Sequence, residues 1–218
     1  MGAEIEGEDT ATLVINGVSE LAASHYSVMP DRIEAGTFLV AAAATRGCIM
    51  VENAYAEHLG IVLEKLRDAG VDVTVEGNTI TADMTKGQLT SVDLITAPYP
   101  GFPTDMQAQF TALNVVAEGV GRITETIFEN RLMQAHEMSR MGADITVDGH
   151  SVIIRGKSSI DGAPVMASDL RASASLVIAG LAAKGETHVD RIYHIDRGYE
   201  RIEEKLQAVG ADIVRKSR

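Results

Sequence analysis

The most regular feature of the chain is a helical pattern of apolar residues that ends at a glycine and then gives way to strict alternation. A five-residue phrase of this kind, with an apolar residue, Gly, Ala or Val, an acid, and Ile or Val, recurs at Gly2, Gly70, Gly142 and Gly210. Glycine directly after a helical pattern is typical of a helix C-terminal cap. The spacing of about seventy residues predicts three structural repeats.

Each complete repeat reads strand, helix, strand, helix, hairpin. The hairpins are predicted at Asp72–Asp83 around Gly77 and at Asp144–Arg155 around Gly149, because alternating residues flank a turn sequence. The third repeat ends after one strand, Ala211–Arg215, whereas residues 1–18 carry a hairpin that belongs to a preceding repeat. We therefore expect Thr12–Gly17 to pair into the vacant position of the third repeat.

The first helix of each repeat is apolar on nearly every side, as in Gly36–Ala44 and Ala172–Ala183. Such helices belong inside a domain. We predict an α/β (α+β) fold, an inside-out α/β barrel-like domain of three repeats around a pseudo-threefold axis. The single domain is expected at 19–218, with repeats at about 19–85, 86–157 and 158–218.

Composition excludes several classes of protein. A net charge of −12 argues against binding to nucleic acid or to an anionic membrane. The acidic N-terminus does not resemble a secretory signal, and no apolar run reaches the roughly 18 residues that a membrane span needs. With Cys48 as the single cysteine, no internal disulfide can form. We expect a soluble protein of a reducing cytoplasm.

Four arginines lie at equivalent junctions, where an inner or an outer helix begins: Arg32, Arg131, Arg171 and Arg197. Helix N-termini attract anions, so this placement in an acidic chain indicates an anionic ligand. The alternative is that these arginines form ordinary surface ion pairs and that the acids beside them are only helix N-caps.

Among the acids, we favour a purely structural, capping role for Asp31. Asp105 is the better candidate for catalysis, because Thr104 could cap its helix and leave the carboxylate free to abstract a proton. The histidines show no metal-ligand spacing, so no metal and no cofactor are expected. Cys48 is expected to be an inert core residue.

Several longer motifs resemble the UDP-N-acetylglucosamine enolpyruvyl transferase family, and the resemblance runs in order along essentially the whole chain. The motifs are Met29–Glu34, Phe102–Gln109 (FPTDMQAQ), Glu125–Arg131 (ETIFENR), Ala167–Ser173 (ASDLRAS) and Asp190–Glu200 (DRIYHIDRGYE).

The resemblance implies transfer of the enolpyruvyl group from phosphoenolpyruvate to the 3-hydroxyl of UDP-N-acetylglucosamine, the first committed step of peptidoglycan precursor synthesis. It further implies that Asp105 is the general base and that Ile127, beside Phe128, lines the UDP-sugar site. Residues matching Arg131, Asp169, Arg171 and Arg197 would surround the phosphoenolpyruvate and the reaction centre.

The family has two such domains with the active site between them, and this sequence resembles only the C-terminal one. The other domain carries a mobile loop with a reactive cysteine, together with a lysine and an arginine for the phosphate; Cys48 matches none of these. We therefore do not expect turnover by this chain alone. The alternative is a folded, non-catalytic domain that binds the UDP-sugar weakly or associates with itself.

Overall fold

The chain begins with a short antiparallel hairpin. In the computed structural model, which describes residues 1 to 216, β1 (Glu4–Glu6) pairs with β2 (Val14–Asn16). The hairpin lies in the first of two compact units, Met1–Pro30, and the second unit begins at Asp31. The predicted grouping of residues 19–218 as one domain, and the pairing of Thr12–Gly17 with the third repeat, remain predictions.

The second unit repeats one order of elements. The first repeat contains α1 (Arg32–Ala44), β3 (Cys48–Val51), α2 (Gly60–Asp68), β4 (Asp72–Glu76) and β5 (Thr79–Asp83). The second contains β6 (Leu94–Ile95), α3 (Thr104–Val115), β7 (Val120–Thr124), α4 (Met133–Arg140), β8 (Asp144–Asp148) and β9 (Ser151–Arg155). The third contains β10 (Pro164–Met166), α5 (Leu170–Ala182), β11 (His188–Asp190) and α6 (Ile202–Ala208). Short 3-10 turns, Ala56–His58 and Ile192–Arg197, precede α2 and α6.

The repeat glycines end the outer helices as predicted. The φ angle is 91° at Gly70, 85° at Gly142 and 99° at Gly210, which is the left-handed region that favours glycine. The next N–H reaches back to the helix, as where the Val71 N–H donates to the Leu66 carbonyl at 3.0 Å. Each chain reversal therefore depends on a residue without a side chain.

Both predicted hairpins are present with the predicted ends. β4 pairs with β5, and β8 pairs with β9, in antiparallel register. The strand orders are β3-β5-β4 and β6-β7-β9-β8, while β10 and β11 form a parallel pair. The second of these sheets has four strands because β6 pairs in parallel with β7.

The inner helices α1, α3 and α5 pack against one another and are buried on nearly every side. Small residues allow the close approach, since a Cβ added at Gly36 of α1 would lie 2.9 Å from Cε of Met106 in α3. The strands keep exposed faces, as in β8, where only Ile145 is partly buried. The predicted mixed fold with helices inside is confirmed, and the starts of α3 and α5 meet at the site described below.

Two predicted strands are wrong. No strand precedes Asp31 in the first repeat, and the last predicted strand, Ala211–Arg215, is irregular. A strand requires a neighbour to take its N–H and C=O groups, and neither segment has one within its own unit. None of the described helices is long and apolar enough to cross a membrane.

Candidate active site

Two of the three inner helices, α1 and α5, begin with an aspartate N-cap, whereas α3 does not, although the three sequences look alike at this point. Asp31 caps α1, where its carboxylate accepts from the Ile33 N–H at 2.8 Å. Asp169 caps α5 and accepts from the N–H groups of Arg171 and Ala172, both at 2.9 Å. These bonds satisfy N–H groups that a helix start leaves unpaired. The structural role predicted for Asp31 is confirmed, and Asp169 has the same role.

Helix α3 has no side-chain cap. Its N-cap is Pro103, and Thr104 and Asp105 are the first two helical residues. The expectation that Thr104 caps the helix is wrong, because the helix starts one residue too early and the Thr104 hydroxyl is engaged elsewhere. The Asp105 carboxylate does no capping, and it therefore points its oxygens to other partners.

The sequence suggested that the Asp105 carboxylate is free, but in the structure it bridges two arginines. Its Oδ1 accepts from Arg131 at 2.7 Å and its Oδ2 accepts from Arg171 at 2.9 Å. The Asp105 side chain is 36% exposed, while those of Arg131 and Arg171 are 23% and 12% exposed. The surface end of α3 thus holds one carboxylate between two half-buried guanidinium groups.

The two arginines control the charge of this carboxylate. Burial alone would raise the pKa of Asp105, but Arg171 and Arg131, by charge and by hydrogen bonding, outweigh burial and hold the pKa below its ordinary value. Asp105 is therefore an anion at neutral pH, and the two arginines make it a weaker base than an ordinary carboxylate.

Arg131 is held from two further sides. It donates to the Thr104 hydroxyl at 2.9 Å, and its guanidinium lies 4.8 Å from the centre of the Phe128 ring. A cation over an aromatic face is attracted by the ring electrons. The guanidinium of Arg131 therefore contacts Asp105, the Thr104 hydroxyl and the Phe128 ring at once.

A buried carboxylate, Glu125, organises the loop that carries Ile127, Phe128 and Arg131. One oxygen of Glu125 accepts from the N–H groups of Ile127 and Phe128, at 2.8 and 3.2 Å. The other accepts from the Thr104 hydroxyl at 2.8 Å. Since the Thr104 hydroxyl in turn accepts a hydrogen bond from Arg131, Glu125 connects the loop to the start of α3.

Arg171 is held by a buried tyrosine. Its guanidinium donates to the Tyr199 hydroxyl at 3.2 Å and lies 5.6 Å from the centre of that ring. Tyr199 is 1% exposed and also contacts Thr37 of α1 and Gln109 of α3. All three inner helices therefore meet at this hydroxyl.

The structure brings together only part of the predicted set. Asp105, Arg131, Arg171 and Phe128 are in contact, and Ile127 lies in the loop beside them. Within residues 1–216, no side-chain hydrogen bond or ion pair involves Arg197, which is exposed at the end of the turn Ile192–Arg197. We therefore find two of the predicted arginines on one carboxylate and a third standing open.

Arg32 does not join them. Its guanidinium donates to the His58 carbonyl at 3.4 Å and lies 5.6 Å from the centre of the Tyr99 ring. The equivalence of Arg32 and Arg171 by sequence fails because Arg32 has neither the tyrosine nor the carboxylate that orient Arg171.

The sequence did not reveal four residues that support the site: Thr37, Gln109, Glu125 and Tyr199. Glu125 and Tyr199 lie inside the motifs ETIFENR and DRIYHIDRGYE, so the motifs themselves were the available signal. Cys48 was placed wrongly in the core. It is exposed at the start of β3. Desolvation by neighbouring groups and, after it, the nearby Asp83 raise the pKa of its thiol. Within residues 1–216, no three His, Cys, Asp or Glu side chains cluster as a metal site would require.

Comparison with known proteins shows the family of the chain. Residues 1–206 match the family described as EPSP synthase (3-phosphoshikimate 1-carboxyvinyltransferase). The chain belongs to this family. Because the match covers nearly the whole chain, it confirms the enolpyruvyl transferase resemblance and the mixed fold.

Two curated relatives of the chain carry the same name. The UDP-N-acetylglucosamine 1-carboxyvinyltransferase of Coxiella burnetii (strain Dugway 5J108-111) is 60% identical over 217 residues, which are 100% of this chain and 50% of that protein. The protein of strain RSA 331 / Henzerling II has the same values. The chain spans about half the length of the curated relatives it matches.

Solved structures of the family agree with the fold. The enolpyruvyl transferase NikO from Streptomyces tendae superposes with a TM-score of 0.82 at 28% identity, over 97% of this chain and 50% of that one. An EPSP synthase from Acinetobacter baumannii superposes with a TM-score of 0.67 at 17% identity, over 88% of this chain and 44% of that one, and shows the fold alone.

Proposed function

We propose that this chain is the C-terminal domain of an enzyme that transfers the enolpyruvyl group from phosphoenolpyruvate to the 3-hydroxyl of UDP-N-acetylglucosamine. The reaction releases phosphate and belongs to peptidoglycan precursor synthesis in the cytoplasm. The observation that carries the proposal is the Asp105 carboxylate held between Arg131 and Arg171 at the start of α3. The 60% identity to proteins named for this reaction gives the substrate class.

The chemistry of the site suits an anionic substrate. Phosphoenolpyruvate carries a phosphate and a carboxylate, and arginine is the side chain best suited to binding both, because its planar group donates two parallel hydrogen bonds. Arg131 and Arg171 would exchange Asp105 for these groups as hydrogen-bond partners. The exposed Arg197 has no competing partner within the described residues and would complete the anion site.

This exchange of partners prepares the proton transfer. While both arginines contact Asp105, they hold its pKa below the ordinary value and make it a weak base. Once the substrate replaces Asp105 as the partner of the two arginines, the pKa of Asp105 returns toward that of an ordinary carboxyl group. Asp105 then accepts the proton of the sugar hydroxyl more readily, at the moment when the acceptor carbon of phosphoenolpyruvate is in place.

The loop around Ile127 and Phe128 is assigned to the UDP-sugar. Both side chains are exposed, at 39% and 53%, although they are large and apolar. The buried Glu125 carboxylate accepts hydrogen bonds from their backbone N–H groups. Asp169 contributes by capping α5, which sets the position of Arg171.

The test combines this chain with the half of the Coxiella burnetii relative that it does not match, and measures phosphate release from phosphoenolpyruvate and UDP-N-acetylglucosamine. We expect turnover only in the mixture. Asp105→Ala should reduce the rate at least about 100-fold, the usual contribution of a general base. As a matched control, Asp148→Ala removes a carboxylate that also faces an arginine, 3.6 Å away, but is 69% exposed, and its rate should be unchanged.

Absence of turnover, when both halves are folded and associated, would contradict the proposal. Calorimetry then separates the alternatives. Heat of UDP-N-acetylglucosamine binding that disappears in Asp105→Ala would show a sugar site without catalysis, and no heat at millimolar sugar nucleotide would leave only a folded domain.

A further inference from the structure

The buried Tyr199 hydroxyl has three hydrogen-bonding partners, Thr37, Gln109 and Arg171. Thr37 Oγ1 donates its only hydrogen to the Ile33 carbonyl at 2.7 Å. In the 2.8 Å contact between the two hydroxyls, Thr37 must therefore accept and Tyr199 must donate. The Tyr199 hydrogen thus points away from Arg171, and the lone pairs of the Tyr199 oxygen face the guanidinium.

The neighbouring amide agrees with this direction. The Nε2 group of Gln109 donates to Thr37 Oγ1 at 3.1 Å and lies 3.4 Å from the Tyr199 oxygen. The opposite orientation would place the amide oxygen against two hydroxyls that have no hydrogen left to give. Burial raises the pKa of Tyr199, although Thr37 and Arg171 oppose the shift, so the hydroxyl keeps its proton.

The consequence for Arg171 is that its two terminal nitrogens have partners of different kinds. One donates to Tyr199, which is buried and fully engaged, at 3.2 Å. The other donates to the half-exposed Asp105 at 2.9 Å. When a ligand replaces Asp105, the contact to Tyr199 is retained, because it uses the other terminal nitrogen of the guanidinium.

We propose that Tyr199, oriented by Thr37, is a positioning residue that keeps the Arg171 guanidinium aimed at an anionic group of the substrate while Asp105 is released. This inference rests on the proposed function for the identity of that group, which is the phosphate or carboxylate of phosphoenolpyruvate. The geometry itself does not depend on the reaction.

The first test is independent of catalysis. In the 218-residue chain labelled with nitrogen-15 arginine, NMR measures rotation of each guanidinium about its Nε–Cζ bond. Tyr199→Phe keeps the ring and removes the hydroxyl, and we expect Arg171 to rotate on the order of tenfold faster, because it loses one charge-assisted hydrogen bond. Arg131, which is held by Thr104, is the internal control and should not change. An unchanged Arg171 would overturn the inference.

A second pair of variants covers the case in which Tyr199→Phe does not fold. Thr37→Ser keeps the accepting hydroxyl and should leave Arg171 as in the parent chain. Thr37→Val removes it and should speed the rotation of Arg171. Equal behaviour of Thr37→Val and Thr37→Ser would refute the orienting role of Thr37.

The second test uses the complemented enzyme. Tyr199→Phe should raise KM for phosphoenolpyruvate on the order of tenfold and leave KM for UDP-N-acetylglucosamine within about twofold. The matched control, Tyr193→Phe, changes an exposed tyrosine in the same segment and should match the parent. Equal losses for both substrates would indicate a general structural defect and contradict the inference. If the parent mixture has no turnover, the proposed function fails, while the NMR result still decides the role of Tyr199.

Discussion

Replacing Glu125 by alanine should destabilise the chain more than the loss of any exposed acid. Glu125 is 1% exposed, and its carboxylate accepts hydrogen bonds from two hydroxyls and two backbone N–H groups. Alanine leaves all four donors without that partner. A buried donor without a partner costs about 1–3 kcal/mol, and the lower value applies because water can enter the vacated space. We expect a loss of about 4 kcal/mol in the free energy of unfolding.

The assay is urea unfolding, followed by circular dichroism and by tyrosine fluorescence, whose coincidence checks that one transition is observed. With a denaturant dependence of about 2 kcal/mol per molar urea, the expected loss shifts the midpoint by about 2 M. Glu129→Ala is the matched control, because Glu129 is exposed in the same loop and its removal should cost no more than about 0.5 kcal/mol. If the midpoints of Glu125→Ala and Glu129→Ala coincide, the loop is not organised by the buried carboxylate and the reasoning fails.

Two further predictions concern the ends of the inner helices. Because folding lowers the pKa of Asp105, its carboxylate stabilises the fold above the ordinary aspartate pKa of about 3.9, and this contribution is lost as pH falls through the folded-state value. The free energy of unfolding from urea titrations should therefore fall more steeply between about pH 5 and pH 2 in the parent than in Asp105→Asn; parallel curves would contradict this. Gly198→Ala would place a Cβ 2.8 Å from a methyl group of Leu170 and should cost about 1–2 kcal/mol in thermal unfolding, whereas Gly60→Ala, with open space around it, should cost nothing. Equal melting temperatures for the two glycine variants would show that the contact with Leu170 adjusts freely.

The parts of the fold that depend on local chemistry were predictable. A helical pattern that stops at Gly70, Gly142 or Gly210 places the chain reversal, since only a left-handed residue fits there. Alternation around Gly77 and Gly149 gave both hairpins with their ends, because the period of two and the turn residue agree.

The site depends on contacts between distant residues, and repeat patterns carry no information about these. Arg131 meets Asp105 across 26 positions, and Tyr199 meets Thr37 across 162. Arg32 and Arg171 occupy matching places in their repeats, yet one is drawn to a backbone carbonyl and an aromatic ring and the other to a carboxylate. Equivalent backbone positions therefore predicted where charged groups gather, but not which of them pair.

The start of α3 has a consequence for how a duplicated unit acquires chemistry. In the first and third repeats the aspartate, Asp31 or Asp169, is the N-cap residue, and its carboxylate accepts hydrogen bonds from backbone N–H groups. In the second repeat the aspartate, Asp105, lies two residues further into the helix, after Pro103, which has no N–H group and provides no side-chain cap. A displacement of two residues, with no change of side chain, thus turns a structural acid into one that is available to a ligand. Designs that begin with a symmetric threefold repeat can introduce a reactive carboxylate in one copy by the same shift, while the other two copies keep the scaffold intact.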